Sequence, residues 1–229
     1  MGKTTAIICA MTKEAETLIG MMTDKTVEKI SGREYIKGKL CGKDVVIVVC
    51  GIGKVLAASC AQTMILKYSP DVVINTGVAG SLDEHLKIYD IVIASHVVQH
   101  DFDTSVIGDP LGYIAELDTV KVQADDDTNK TLARCAEKLR YNYVEGVVAT
   151  GDQFIDGAEK KAYIKANFGA SACDMEGAAI GTVCRVAGVK FAVLRSISDS
   201  GDGVEYSSFV VEAVKRSTAV IKEYLLQTK

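Results

Sequence analysis

An α/β fold, built on a mostly parallel or mixed sheet with helices on both sides, is what this 229-residue sequence predicts. Three observations predict it. Short runs rich in Val and Ile recur along the chain, helix-length patterns separate them, and no internal repeat or low-complexity linker interrupts the alternation.

The strand-like runs, in order, are "TAIICAM" (5–11), "DVVIVVCG" (44–51), "DVVINTG" (71–77), "DIVIASHVV" (90–98), "YVEGVVAT" (143–150) and "KFAVLRSIS" (190–198). Their apolar residues are consecutive instead of alternating, the pattern of strands buried on both faces. Helices are expected over "KVLAASCAQTMILKY" (54–68), "NKTLARCAEKLR" (129–140), "GAEKKAYIKANF" (157–168), "MEGAAIGTVCRVAG" (175–188) and "SSFVVEAVKRSTAVIKEYLLQT" (207–228). Residues 26–50 hold no helix-length pattern. There "EYIKGKLCGKDVVIVV" (34–49) reads as a hairpin turning at Cys41 and Gly42, so part of the sheet is antiparallel. From His100 to about Thr128 runs a long polar connection without strong periodicity, a type of loop that tends to be functional or interfacial.

With 48% hydrophobic residues the chain can bury one substantial core, and a single domain over 1–229 is expected. The net charge of −4 is spread along the length with no basic run, which argues against a nucleic-acid partner. No apolar stretch is long enough to span a bilayer, and "MGKTTAIICAMTKEAE" meets Lys13 and acids too early for a secretory signal; a cytoplasmic protein without membrane contact is expected. Seven cysteines without C-x-x-C spacing read as reduced thiols.

In open α/β sheets, ligands collect beyond the carboxyl ends of the strands. Residues following the apolar runs here include Glu14, "GIGK" (51–54), "TGVAGS" (76–81), "GDQFIDG" (151–157), "DMEG" (174–177) and "DSGD" (199–202). Glu14, Glu176 and Asp199 would therefore share one rim with Phe154 and several glycines. Each has an ordinary reading too. Glu14 and Glu176 could be helix-start carboxylates, Asp199 and Asp202 turn or cap residues, and Phe154 core. Their joint appearance at strand ends favours a pocket with three acids. "GIGKVL" fails as a dinucleotide fingerprint because Leu56 stands at the third glycine position. It fails as a P-loop because Val55 follows Lys54. His85, His96 and His100 lack metal-ligand spacing, so no metal site is expected.

"AMTKEAE", "GIGKVLAA", "INTGVAGSL", "GDQFIDG", "DMEGAAI" and "RSISD" resemble, in order and spacing, the 5'-methylthioadenosine/S-adenosylhomocysteine nucleosidases of the purine nucleoside phosphorylase superfamily. The resemblance implies a three-layer α/β/α sandwich around a mixed central sheet, a homodimer, no cofactor, and hydrolysis of the adenine N-glycosidic bond of adenosine thioethers. By the same resemblance Asp199 would protonate adenine N7, with Ser198 orienting it. That requires a protonated carboxyl near neutral pH. Glu14 would accept a proton from the attacking water, with Arg195 organising that region, and Glu176 would hold the ribose hydroxyls under Met175. Asp174 is treated as structural. Phe154 would stack on adenine while the Ile155 backbone reads its edge, and Ala79 and Gly80 would line the purine and ribose. Met11, Ile52 and Phe209 match the lining for the alkylthio group. The 100–113 loop corresponds to one that reaches the other subunit, with Val106 and Ile107 as contributors in trans. Val78 stands where some members carry a serine that could help hold the water, which bears on rate more than on reaction.

Three other readings stay open: phosphorolysis, for which Lys54 and Arg195 are the only nearby basic groups; a nucleoside-binding sensor without catalysis; and a nucleosidase for another 5'-substituted adenosine such as aminofutalosine.

Overall fold

The computed structural model describes residues 3–200 and 203–228, so the turn proposed at Gly201 and Asp202 lies outside the described residues. In chain order the elements are β1 (Thr4–Cys9), α1 (Thr12–Met21), β2 (Thr23–Ile30), β3 (Arg33–Leu40), β4 (Lys43–Val49), α2 (Lys54–Tyr68), β5 (Val72–Ser81), β6 (Ile91–Gln99), β7 (Val122–Gln123), α3 (Asp126–Lys138), β8 (Tyr143–Thr150), α4 (Ala158–Phe168), β9 (Ala170–Asp174), α5 (Gly177–Ala187), β10 (Lys190–Asp199) and α6 (Gly203–Gln227).

The consecutive apolar residues do what a doubly covered strand requires. In β1, Ala6 and Ile8 face a core shared with α2 and α5, whereas Ile7 and Cys9 face one shared with α1, α3 and α6. β4 splits the same way, Val46 and Val48 against Val45 and Ile47. Met64 and Ala61 of α2 and Ala179 and Cys184 of α5 cover one face; Leu18, Leu132 and Ile221 cover the other. The result is an α/β/α sandwich about a mixed sheet.

The hairpin turns at Cys41 and Gly42, both at positive φ (53° and 76°), as a two-residue connection between β3 and β4 demands. Two segments differ from expectation. β2 adds an antiparallel edge strand to β3; nearly all its residues are exposed, so it lacks the apolar signal of a buried strand, and its lysines suit an unpaired edge. The polar connection after His100 is shorter than expected, because β7 pairs with β6 and α3 already starts at Asp126. Asp125 caps that helix through the Thr128 N–H (2.9 Å), and the acidic first turn disguises a helix start as loop.

Pairing continues in sequence β2–β3–β4–β1–β5, then curls: β5 pairs β10, β10 pairs β6, β6 pairs β8, β8 pairs β9, and β9 returns to β5. One edge of β5 is laddered to β1 over Val72–Asn75 and to β9 only from Gly80. Between these, the strand faces a crevice.

Candidate active site

Glu14 enters the crevice from the first turn of α1. Its Oε2 accepts the Ala10 and Met11 N–H groups (2.9 Å each), which closes the helix start in the manner of a capping box. Its Oε1 accepts the Val78 N–H (3.3 Å) from the unladdered part of β5. The approach depends on Gly77: a Cβ there would lie 2.9 Å from Glu14 Cδ and 3.3 Å from Arg195 Nη1. Burial raises the Glu14 pKa against the lowering effects of Arg195 and the three backbone donors.

Arg195 is buried at 2% exposure and sits behind the crevice wall instead of lining it. Its Nε and Nη2 both reach Asp174 Oδ2 (3.0 and 2.5 Å), and Nη2 also donates to Asn75 Oδ1. Asp174 in turn accepts the Gly177 N–H (3.0 Å) at the start of α5 and the Thr150 hydroxyl (2.5 Å). The acid treated as structural is thus the partner that makes a buried guanidinium tolerable. Glu176, two residues on, accepts the Gly53 N–H at 3.0 Å and stands 3.9 Å from Arg195 Nη2. Burial first, then the charge on Asp174, lifts its pKa to about 7, against Arg195 and the Gly53 N–H.

Asp199 ends β10, 2% exposed, and accepts the Ser198 hydroxyl at 2.9 Å. The Gly80 backbone runs close beside it; a Cβ at Gly80 would lie 3.0 Å from Asp199 Oδ1. Opposite, the Phe154 ring stands edge-on to Tyr206 at 5.8 Å, and the Tyr206 hydroxyl contacts Met11 Sδ at 3.3 Å. Lys13 Nζ lies 5.1 Å from the Tyr206 ring centre.

One cavity of about 390 Å³ gathers Met11, Glu14, Ile52, Val78, Ala79, Gly80, Phe154, Ile155, Met175, Glu176, Ser198 and Asp199. Two expected residues, Arg195 and Phe209, lie elsewhere, and Val106 and Ile107, expected to act in trans, are not part of this chain's own cavity. Arg195 is screened by Asp174. Phe209 packs edge-on against Tyr89 at 5.9 Å and does not line the cavity, whereas Tyr206, one turn earlier on α6, does. Val106 and Ile107 project from this chain at 94% and 78% exposure, outside the cavity wall. Sequence reasoning missed Tyr206, Gln153, Ala10 and Cys173 in the lining. Tyr206 had one available signal, its spacing of three from Phe209 at the start of an amphipathic helix. The Cys173 thiol is pushed up to about 12, by burial first and then by Asp199 and Asp174, and serves as an uncharged wall. Both cations considered for phosphate are already engaged, Lys54 by Asp101 (2.5 Å) and Arg195 by Asp174. Among the described residues, no group of three or more His, Cys, Asp or Glu side chains could hold a metal ion.

Residues 4–226 match the family model of the phosphorylase superfamily. A 5'-methylthioadenosine/S-adenosylhomocysteine nucleosidase of Shewanella sp. strain W3-18-1 is 41% identical over 97% of this chain and 98% of its own; one from Actinobacillus succinogenes is 39% identical over 94% and 95%. Among solved structures, the Neisseria meningitidis nucleosidase of the same name, in complex with methylthio-immucillin-A, superposes with a TM-score of 0.95 at 31% identity, covering 99% of this chain and 100% of that one. The futalosine hydrolase of Helicobacter pylori also reaches 0.95, at 32% identity over 100% and 99%.

Proposed function

This chain belongs to the phosphorylase superfamily and, within it, to the 5'-methylthioadenosine/S-adenosylhomocysteine nucleosidases, and from that premise we propose how its cavity hydrolyses the adenine N-glycosidic bond. The observation that carries the reading is the meeting of Glu14, Glu176 and Asp199, distant in sequence, in one cavity. Substrates are 5'-methylthioadenosine and S-adenosylhomocysteine, with 5'-deoxyadenosine accepted by the same adenine and ribose contacts.

Cleavage leaves a sugar with oxocarbenium character and a base that is a poor anion, so the site must protonate one side and deliver water on the other. Asp199, oriented by Ser198, gives its proton to adenine N7 as the bond breaks. Glu14 takes a proton from the attacking water; its raised pKa makes it a stronger base than an ordinary glutamate. Arg195 acts at one remove, holding Asp174 and biasing the field at Glu14 and Glu176. Glu176 accepts hydrogen bonds from the ribose hydroxyls beside Met175. Phe154 stacks on adenine with the Ile155 backbone at its edge, and Met11, Ile52 and Tyr206 form the apolar slot for the 5' substituent.

Engagement of Lys54 and Arg195 by carboxylates favours water over phosphate. A homodimer is part of the proposal, and the exposure of the apolar Val106 and Ile107 supports it. So are a single nucleosidase domain, a role in methionine salvage and cytoplasmic residence; no described helix is long and apolar enough to cross a membrane.

Adenine release is the test. Both thioethers should yield adenine and the 5-substituted ribose at a rate indifferent to phosphate, and Asp199→Asn should cut kcat by about a hundredfold or more. Formation of the 5-substituted ribose 1-phosphate would overturn hydrolysis, and full activity in the variant would remove Asp199 as the acid. Adding aminofutalosine to the panel bears on the likeness to the futalosine hydrolase.

A further inference from the structure

We propose that Lys54, Asp101 and Asp152, none of which lines the cavity, form a positioning circuit that sets the Gly53 N–H and through it the aim of Glu176 at the sugar. The inference rests on the reading of Glu176 as the ribose ligand.

The circuit closes on itself. Asp152 Oδ1 accepts the Lys54 backbone N–H at 2.8 Å, capping α2 from the segment after β8. The Asp152 backbone N–H donates to Asp101 Oδ2 at 2.8 Å, and Asp101 Oδ1 receives Lys54 Nζ at 2.5 Å. Lys54 Nζ also donates to Gln99 Oε1 at the end of β6 (3.2 Å). Three segments that are far apart in sequence are thereby tied: the start of α2, the exit of β6 and the exit of β8.

The ion pair at its centre is sheltered, with side-chain exposures of 17% and 21% for Lys54 and Asp101. Burial alone would raise the Asp101 carboxyl, yet Lys54 and the Asp152 N–H outweigh it and hold the pKa below its ordinary value. A pair in this setting is stronger than a fully exposed one.

Its output is one peptide group. Gly53 sits at φ 101°, and a Cβ there would come within 3.1 Å of Asp152 Oδ1. The residue is therefore glycine with its N–H aimed at Glu176 Oε1, 3.0 Å away, while Arg195 stands at 3.9 Å. Gly53 is the nearer of these two partners, so its placement decides where the Glu176 carboxylate points. Misplacement of a ligand group by about 1 Å is enough to lose most of its contribution.

The experiment compares Asp101→Ala, Asp101→Asn, Lys54→Met and Lys54→Arg with the unaltered full-length protein. Steady-state adenine release from 5'-methylthioadenosine gives kcat and KM, and free adenine, which has no ribose, is measured as an inhibitor. Asp101→Ala and Lys54→Met should raise KM about tenfold and change kcat and the adenine inhibition constant by no more than about threefold. Asp101→Asn and Lys54→Arg, which keep part of the circuit, should fall between. Thermal melts establish that each variant is folded, and a misfolded alanine variant leaves the asparagine and arginine variants to decide. A lowered Tm with KM unchanged would make the circuit merely structural and overturn the proposal. An equal loss of adenine binding would overturn it as well, because the effect would not run through the sugar. If the unaltered protein releases no adenine, the reaction assignment fails separately; calorimetry of 5'-methylthioadenosine against adenine binding in the same variants still decides the circuit.

Discussion

Replacing Glu176 by Gln should weaken the grip on ribose and at the same time stabilise the unliganded protein at alkaline pH. A carboxyl whose pKa rises from an ordinary 4.5 to about 7 on folding binds its proton more tightly in the folded state. The sign follows from linkage: stability from such a group is full below pH 4.5 and is lost as pH rises to about 7. Each pKa unit is worth about 1.4 kcal/mol, so the wild-type protein loses about 3 kcal/mol through this one side chain, a figure already net of the Arg195 attraction. Glutamine is neutral throughout and keeps an oxygen for the Gly53 N–H. At pH 8 the variant should therefore melt higher, by about 6–10 °C for a chain of this size, whereas at pH 4.5 the two melting curves should nearly coincide. Differential scanning calorimetry across pH 4.5–8 reads the difference directly; it includes the relief of the repulsion between Glu176 and Glu14, which acts in the same direction. A gap in Tm that does not change with pH would show that Glu176 ionises as it would in water, and the account of its burial would be wrong.

Gly77→Ala places a methyl group against the Glu14 carboxyl and the Arg195 guanidinium; kcat should fall about a hundredfold with a stability loss of about 1–3 kcal/mol, and near-normal turnover would mean that Glu14 is not held where the reaction needs it. Phe154→Ala should raise KM about tenfold and weaken free adenine as an inhibitor in step, since stacking acts on the base alone; unaltered adenine inhibition would refute the stacking role.

Much of the architecture could be read before any coordinates. α2 occupies residues 54–68, and the β3–β4 turn falls on Cys41 and Gly42, because buried runs and two-residue turns leave strong local signals. β2 could not be read, since an edge strand with exposed residues carries no hydrophobic period, and α3 started early because its capping acids looked like loop. In the cavity, the three acids were legible from strand ends and the resemblance. The partners that tune them were not. Arg195 could be placed near Glu14 by likeness, but its withdrawal behind Asp174 and Asn75 is a fact of three-dimensional packing. Tyr206 and the exclusion of Phe209 depend on the rotation of α6 about its axis, which a helical pattern specifies only to within a face.

β5 changes neighbours partway along its length, ladder on one side passing from β1 to β9 with a gap between. A chain that hands over in this way exposes a few peptide groups inside an otherwise saturated framework, with the rigidity of a strand and the openness of a loop. The Val78 amide spends that freedom on Glu14, so this carboxylate is moored to a strand still laddered to β10 on its other side. The cavity needs no hollow carved from the core; it opens along the seam where β5 passes from one neighbour to the next.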